Sequence, residues 1–278
     1  MSIVFNAEDH SYKSIDPENE ITWYSVTTLI SSLKKPFDAK ATAAKVSKNA
    51  KSKWYGIEPK IIQEIWSNEA KRATDLGTFY HNQREDDLCS LASMEKEGVT
   101  VPVFKPLPLK NGIKYAPSQK LEPGVYPEHM VYLKSAGICG QSDLVEVVNG
   151  RVNIIDYKTN KEIKTESFKN WEGVSEKMLE PVANLDDCNF NHYALQLSIY
   201  MYMILKHNPK LLPGSIFIHH ITFEIDGTDE WGYPITKKHP NGDPIVKEVT
   251  PILVPYLYDE VIAIINHIKE NPNFIKKK

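Results

Sequence analysis

The sequence predicts an α/β fold, and three features carry that prediction. Asn149-Gly150 lies between two Val/Ile-rich runs, the strongest short signal for a β-hairpin with a type I′ turn. Apolar residues recur at spacings of three and four through 59–88, and the segment 190–206 is apolar almost all round, so a long helix precedes the hairpin and a buried one follows it. The run SIFIHHITFEI at 215–225 adds a further strand.

At 278 residues the chain can hold one large or two small domains, and 41% hydrophobic with 25% charged residues is ordinary for a soluble globular protein. A net charge of −3 gives no overall field for holding a polyanion, so any nucleic-acid surface has to come from local clustering. Cys89, Cys139 and Cys188 form no CxxC pair and point to neither a disulfide framework nor a zinc or iron–sulfur site. With no 18-residue apolar stretch and no basic-then-apolar start, the expectation is a soluble cytoplasmic protein without a membrane partner.

Taken in order, residues 3–24 alternate short β-like runs with turn clusters such as Asp16-Pro17-Glu18-Asn19 and read as a small antiparallel sheet. Ser25 or Thr27 can cap a helix carrying Leu29, Ile30 and Leu33. Between 34 and 53 stand seven lysines, Lys45, Lys48, Lys51 and Lys53 among them, against the single acid Asp38, and Trp54 and Tyr55 follow at once. Lysines for phosphates beside aromatics for bases suit a strand-binding groove, while a solvated helix face explains the same run. The 59–88 helix starts near Pro59, holds Gly77 as a sign of close packing, and places His81 one turn beyond it and Glu85 one turn further. His81 is either a hydrogen-bonded core residue or a ligand.

Residues 98–127 carry six prolines and read as a long loop, a flap over a site. Glu128–Leu133 is then a strand beside the hairpin. After Lys158 the polar stretch 159–190 suggests short helices interrupted at Gly173 and Pro181, and a helix over 256–270 closes the chain before a frayed lysine tail at 276–278. On the buried 190–206 helix, Gln196 and Tyr200 lie one turn apart, a polar pair that serves structure or a site.

The two-residue turn fixes the hairpin register. Val148 faces Arg151, Val147 faces Val152, Val145 faces Ile154, and Asp143 lands opposite Asp156. With a side-chain period of two, Asp143, Val145, Val147, Val152, Ile154, Asp156 and Lys158 share one face, apolar near the turn and charged at the open end. Two carboxylates so placed repel by about 3 kcal/mol at an effective dielectric of about 20, which calls for a cation between them. An ordinary edge hairpin with solvated ends is the alternative on these residues alone.

The motifs then stand in the order Gly77-Thr78-x-x-His81, Glu128, Gly140-x-x-Asp143, Asp156-Tyr157-Lys158 and Gln196-x-x-x-Tyr200. This pattern resembles the PD-(D/E)XK nuclease superfamily, in particular its RecB-like exonuclease branch, which includes phage and mitochondrial single-strand exonucleases. It spans about 77–205. The resemblance implies an α/β core with a central mixed sheet flanked by helices, the restriction-endonuclease-like core, within a single domain over 1–278. That domain comprises an N-terminal hairpin and helix extension with the basic segment (1–58), a motif-bearing part (59–206) with the insertion 98–127, and C-terminal strands with a closing helix (207–278).

The resemblance also implies site roles. Asp143 and Asp156 are metal ligands, completed by the Tyr157 carbonyl and His81, with Glu128 an accessory acid and Glu85 a weaker candidate for the same place. Lys158 orients or activates the attacking water, and Gln196 and Tyr200 line the site. The third motif has Asp156 where many members have Glu, as the RecB-like branch commonly does; members with an iron–sulfur cluster carry four cysteines, which this chain lacks. The expected cofactor is Mg²⁺ or Mn²⁺, the partner is DNA, as single strands or duplex ends, and the activity is that of a DNA exonuclease in replication, recombination or repair, in a host cytoplasm if the source is a bacteriophage. A nicking or structure-specific endonuclease on the same site, and a non-catalytic DNA-binding module that kept the fold, are the rival expectations.

Overall fold

The Asn149-Gly150 turn forms as its sequence dictates, with φ of 49° and 74° at its two residues, the left-handed pair that a type I′ turn requires. The computed structural model describes residues 3–9, 11–15, 21–170, 172–271 and 274–275; the turn expected at 16–19, Trp171 and the lysine tail lie outside them. In chain order the elements are β1 (Ile3–Asn6), β2 (Ser11–Ser14), β3 (Tyr24–Ser25), α1 (Val26–Ser32), α2 (Ala39–Ser47), α3 (Pro59–Ser90), β4 (Ser93–Lys96), β5 (Val99–Pro102), β6 (Ile113–Tyr115), β7 (Gly124–Leu133), β8 (Ile138–Val148), β9 (Arg151–Lys158), α4 (Asn189–His207), β10 (Leu212–Phe223), β11 (Ile225–Thr228), β12 (Pro234–Thr236), β13 (Val246–Val254) and α5 (Tyr258–Glu270).

The fold is α/β, a mixed sheet flanked by helices. Its strands run β13-β10-β9-β8, with β7 along one edge of β8 and the short β3 sharing the other edge with β9. β9 and β10 are parallel, as are β3 and β8, and the remaining pairs are antiparallel. One face, with Val145, Val147, Val152 and Ile154, packs against α1, α4 and α5; the other, with Leu144, Ile155 and Tyr157, packs against the C-terminal half of α3 through Tyr80 and Leu88. The first face is the apolar one that the hairpin's alternation predicts; the second is buried as well. α4 is buried from Ala194 to Ile204 apart from Gln196, as an apolar helix between sheet and α5 must be. Ser25 caps α1, its hydroxyl accepting from the Thr28 N–H at 3.0 Å. Among the described residues no helix is long and apolar enough to cross a membrane.

Four local expectations are corrected. Residues 98–127 are no continuous loop but hold β5, β6 and the start of β7; Pro127 is tolerated inside β7 because, apart from the bridge Val103–Val125, that strand has no strand partner on the edge away from β8 among the described residues. The stretch 159–190 forms no helix among its described residues before α4 starts at Asn189. Asn170 Oδ1 accepts the Glu172 and Val174 N–H groups, an Asx turn that competes with a helix, and the bridges Lys169–Ser175 and Lys177–Asp186 hold the rest. Tyr24–Ser25 joins the main sheet beside β8, whereas the small N-terminal sheet is β2-β1-β6. In α3, Ala70 and Ala73, which fall on the three-and-four spacing of Ile62, Ile65, Trp66, Leu76 and Tyr80, are exposed, because the helix touches the sheet only with its C-terminal part.

Candidate metal centre

The site lies where the sheet forks. On the edge of β8 away from β7, β3 pairs with Ile138 and Cys139 and β9 pairs with residues 144–148, so residues 140–143 have no strand partner there among the described residues. Asp143 stands at the fork. The register of β7 on β8, carried through the step between Pro127–Leu144 and His129–Ser142, sets Glu128 level with Asp143; that of β8 on β9, carried one step past Leu144–Ile155, sets Asp156 level with it too. Three acids from three adjacent strands therefore occupy one row.

The row is not a regular ladder. The expected direct pairing of Asp143 with Asp156 stops one residue short, and the Asp143 carboxylate itself accepts the Tyr157 N–H at 2.8 Å. Glu128 has a φ of 48°, a left-handed backbone that costs a non-glycine residue about 1–3 kcal/mol and marks a position held by its surroundings.

His81 enters from α3. Its Nε2 lies 3.0 Å from the Tyr157 carbonyl, which can only accept, so Nε2 carries the proton and, in the neutral ring, Nδ1 presents a lone pair. Nδ1 is 3.5 Å from Asp143 Oδ2, and ligand atoms of His81, Glu128 and Asp143 all fall within 4.8 Å of one another. A carbonyl that orients an imidazole in this way is the usual outer support of a metal-binding histidine; the Tyr157 carbonyl, expected as a ligand, accepts from His81 and keeps a second lone pair.

Asp156 and Lys158 form the other half. Asp156 is 1% exposed and its Oδ2 lies against the Lys158 ammonium, yet that oxygen accepts no hydrogen bond of ordinary geometry among the described residues. Burial draws the Lys158 pKa down, but the Asp156 and Asp143 carboxylates outweigh it and hold the group above its ordinary value, as an ammonium. Gln196 and Tyr200 meet above the fork, amide to hydroxyl at 3.4 Å. Tyr200 reaches this place because Gly140 has no side chain: a Cβ there would stand 2.7 Å from the ring.

Burial, then the repulsion of Asp156, pushes the Asp143 carboxyl up to about 6; burial, then Asp143, pushes Glu128 up to about 8. At a separation of 4.8 Å and an effective dielectric of about 20, two ionised carboxylates repel by about 3 kcal/mol. The donors are oxygens and one imidazole, crowded and short of protons to share, which fits a hard divalent cation. Glu85 is half-buried near Glu128 and adds to its repulsion without joining the cluster.

Three participants escaped the sequence reading. Gln141 donates from its amide to Glu128, and Lys114 donates to Gln141 Oε1 at 3.2 Å. Tyr193 lies under Lys158, 4.9 Å from Nζ to ring centre, and its hydroxyl donates to Asn160 Oδ1 at 2.7 Å. Gln141 is two residues from Asp143 on the same strand, and Tyr193 is three from Gln196 on the same helix, so both were within reach of the periodicities; Lys114 was not.

The basic segment is only partly the expected groove. Lys45, Lys48 and Lys51 are exposed, and so is Tyr55. Lys53 is held by the Trp231 carbonyl at 2.8 Å and sits over the rings of Trp54 and Tyr233. Trp54, expected to stack on a base, is 6% exposed, stacked on Trp231 and edge-on to Trp66, with Ala43 and Ile62 closing the cluster. Apolar burial has claimed it for the core that joins α2 to α3. Lys161, Lys164 and Lys169 lie beyond Lys158, where Lys164 and Lys169 pair with Glu162 and Glu166.

No family model, curated protein or solved structure matches this chain.

Two outcomes follow from this geometry. Trp54→Ala should lower folding stability by about 3–5 kcal/mol, read by urea unfolding; a stability within about 0.5 kcal/mol of wild type would contradict the core role. For the acids, an unfolded chain restores ordinary carboxylate pKa values, so the folded metal-free protein binds more protons between about pH 4 and 8 and loses stability as pH rises through that window. Buried His129, with its pKa drawn down to about 4, acts in the opposite sense, so the comparison is made against Glu128→Gln/Asp143→Asn. In EDTA the double variant should melt progressively higher than wild type from pH 4 to 8, and Mn²⁺ at pH 8 should raise the melting temperature of the wild type alone. A constant difference, or equal Mn²⁺ responses, would refute the cluster.

Proposed function

We propose that this protein is a divalent-metal-dependent deoxyribonuclease that acts on DNA ends or single strands, as the resemblance to RecB-like PD-(D/E)XK exonucleases implies. The observation that carries the reading is the row Glu128–Asp143–Asp156 at a sheet fork, with His81 at one end and Lys158 at the other. A structural hairpin gains nothing by gathering three acids at one level, one of them with an unsatisfied buried carboxylate oxygen and another with a strained backbone.

His81, Asp143 and Glu128 would hold Mg²⁺ or Mn²⁺, with Asp156 beside them; the imidazole donor shifts preference towards Mn²⁺. When bound, such an ion supplies Lewis acidity to a phosphate and makes water a better nucleophile. Asp156 fixes the Lys158 ammonium, so Lys158 serves as a positive group that orients water or stabilises phosphate charge rather than as a neutral base. Gln196 and Tyr200 offer an amide and a hydroxyl above the same fork, positioned by the missing Cβ of Gly140. The exposed Lys45, Lys48 and Lys51 are the contacts left to the basic segment for phosphates.

The test is incubation of the purified protein with end-labelled linear and covalently closed circular single-stranded DNA, in Mn²⁺, Mg²⁺ or EDTA. Linear DNA should be degraded with either metal and the circle spared. Asp143→Asn and Lys158→Met should each lower kcat by on the order of 10²–10⁴ while retaining the wild-type circular dichroism spectrum. Cutting of the circle would assign an endonuclease to the same site. Failure of the wild type to cut any DNA with either metal, or near wild-type cleavage by Asp143→Asn, would reject the nuclease reading.

A further inference from the structure

A recess of about 320 Å³ opens beside Glu128, between residues 104–107, Lys114, the segment 117–122 and residues 126–129. Its size is at the lower end of small-ligand pockets and suits one nucleotide rather than a length of strand. Its chemistry is that of a nucleotide site as well. Lys105, Lys114 and Lys120 face it against Glu122 and Glu128, and among the described residues Lys105 and Lys114 have no carboxylate ion-pair partner.

The aromatic wall is built in advance. Phe104 stacks on Tyr126 with ring centres 4.7 Å apart and planes 13° from parallel, while remaining 38% exposed. It can lie so because Gly124 has no Cβ; a side chain there would collide with the Phe104 ring. The opposite wall is equally fixed. Lys120 donates to the His207 carbonyl at the end of α4, the Leu121 N–H donates to Asn208 Oδ1 at 2.9 Å, Asn208 Nδ2 donates to the Gln119 carbonyl at 2.8 Å, and Gln119 Nε2 donates to the Met130 carbonyl at 3.0 Å.

The recess is joined to the acid row through side chains. Lys114 holds Gln141 and Gln141 holds Glu128, so a cation of the recess stands one side chain away from a candidate metal ligand. Phe104, Lys105 and Lys114 line the same recess as Glu128, so an aromatic surface, two cations and one acid of the row meet in a single cavity. We propose that this recess seats the terminal nucleotide of a DNA strand, the base against Phe104 and a terminal 5′-phosphate on Lys105 and Lys114. The proposal rests on the nuclease reading for its substrate and extends it, because it makes a phosphorylated end, cut from the 5′ side, the preferred target.

The recess and the nuclease reading are tested apart. Free dAMP titrated calorimetrically into the metal-free wild type should bind, and the Lys105→Gln/Lys114→Gln and Phe104→Leu variants should each weaken binding about tenfold or more, the worth of a charge-assisted hydrogen bond or a base stack. On linear DNA in Mn²⁺, the wild type should favour 5′-phosphorylated over 5′-hydroxyl ends by about tenfold in kcat/KM, and the lysine variant should bring that ratio towards one. Wild-type cleavage indifferent to the 5′ group would overturn the proposal and leave the nuclease standing, whatever dAMP does. dAMP binding lost in both variants, with no cleavage of any DNA, would reject the nuclease and keep a nucleotide site. Absence of dAMP binding to the wild type would overturn the proposal.

Discussion

Three carboxylates held at one level of a sheet are the constraint on which the rest of this structure turns. Between Glu128 and Asp143, whose carboxylate oxygens lie within 4.8 Å, repulsion of the ionised pair is worth about 3 kcal/mol, comparable with the loss of a core methyl cluster, and the fold tolerates it without spreading them apart. It does so by two devices. Lys158 neutralises Asp156 from the same strand, and the Tyr157 N–H donates to the Asp143 carboxylate at 2.8 Å. Neither device relieves Glu128, whose carboxyl burial and Asp143 push up to about 8 and whose backbone is held left-handed. The remaining imbalance is what a bound cation would remove.

The fork converts that constraint into a site. Had β9 continued to pair with β8 past Leu144, Asp143 would be one more residue in a ladder; instead its carboxylate replaces the backbone as partner of the Tyr157 N–H. Opening the ladder also frees the stretch from Gly140 to Asp143, and α4 fills the space above with Tyr200 and Gln196. Core packing holds this arrangement from both sides: Val145 and Ile154 against α4, Leu144 and Ile155 against α3. The candidate site lies at the fork, between these two cores.

Much of this was legible in the sequence because it obeys short-range rules. The Asn149-Gly150 turn set the hairpin register, and period two placed Asp143, Asp156 and Lys158 on the face of Val145 and Ile154. The 3.6-residue period located α3 and α4 almost to their observed limits, and the strand carrying Glu128 appeared where it was expected. What escaped depends on partners distant in the chain. Trp54 looked like an exposed aromatic beside lysines, and the stacking of Trp231, 177 residues later, completes the cluster that makes it core. Lys114 reaches Glu128 through Gln141 because β6 joins the N-terminal sheet, a pairing that no local pattern announces. The stretch 159–190 misled because Asx turns and helix starts use the same residues.

The central claim is that His81, Glu128 and Asp143 together hold a divalent cation at the fork, and diffraction addresses it most directly. A crystal soaked in Mn²⁺, with data collected at the manganese absorption edge, should show an anomalous peak in bonding contact with His81 Nδ1 and with carboxylate oxygens of Asp143 and Glu128. The peak should be absent from Asp143→Asn crystals treated in the same way. A strong peak elsewhere on the protein, with none between these three side chains, would contradict the account.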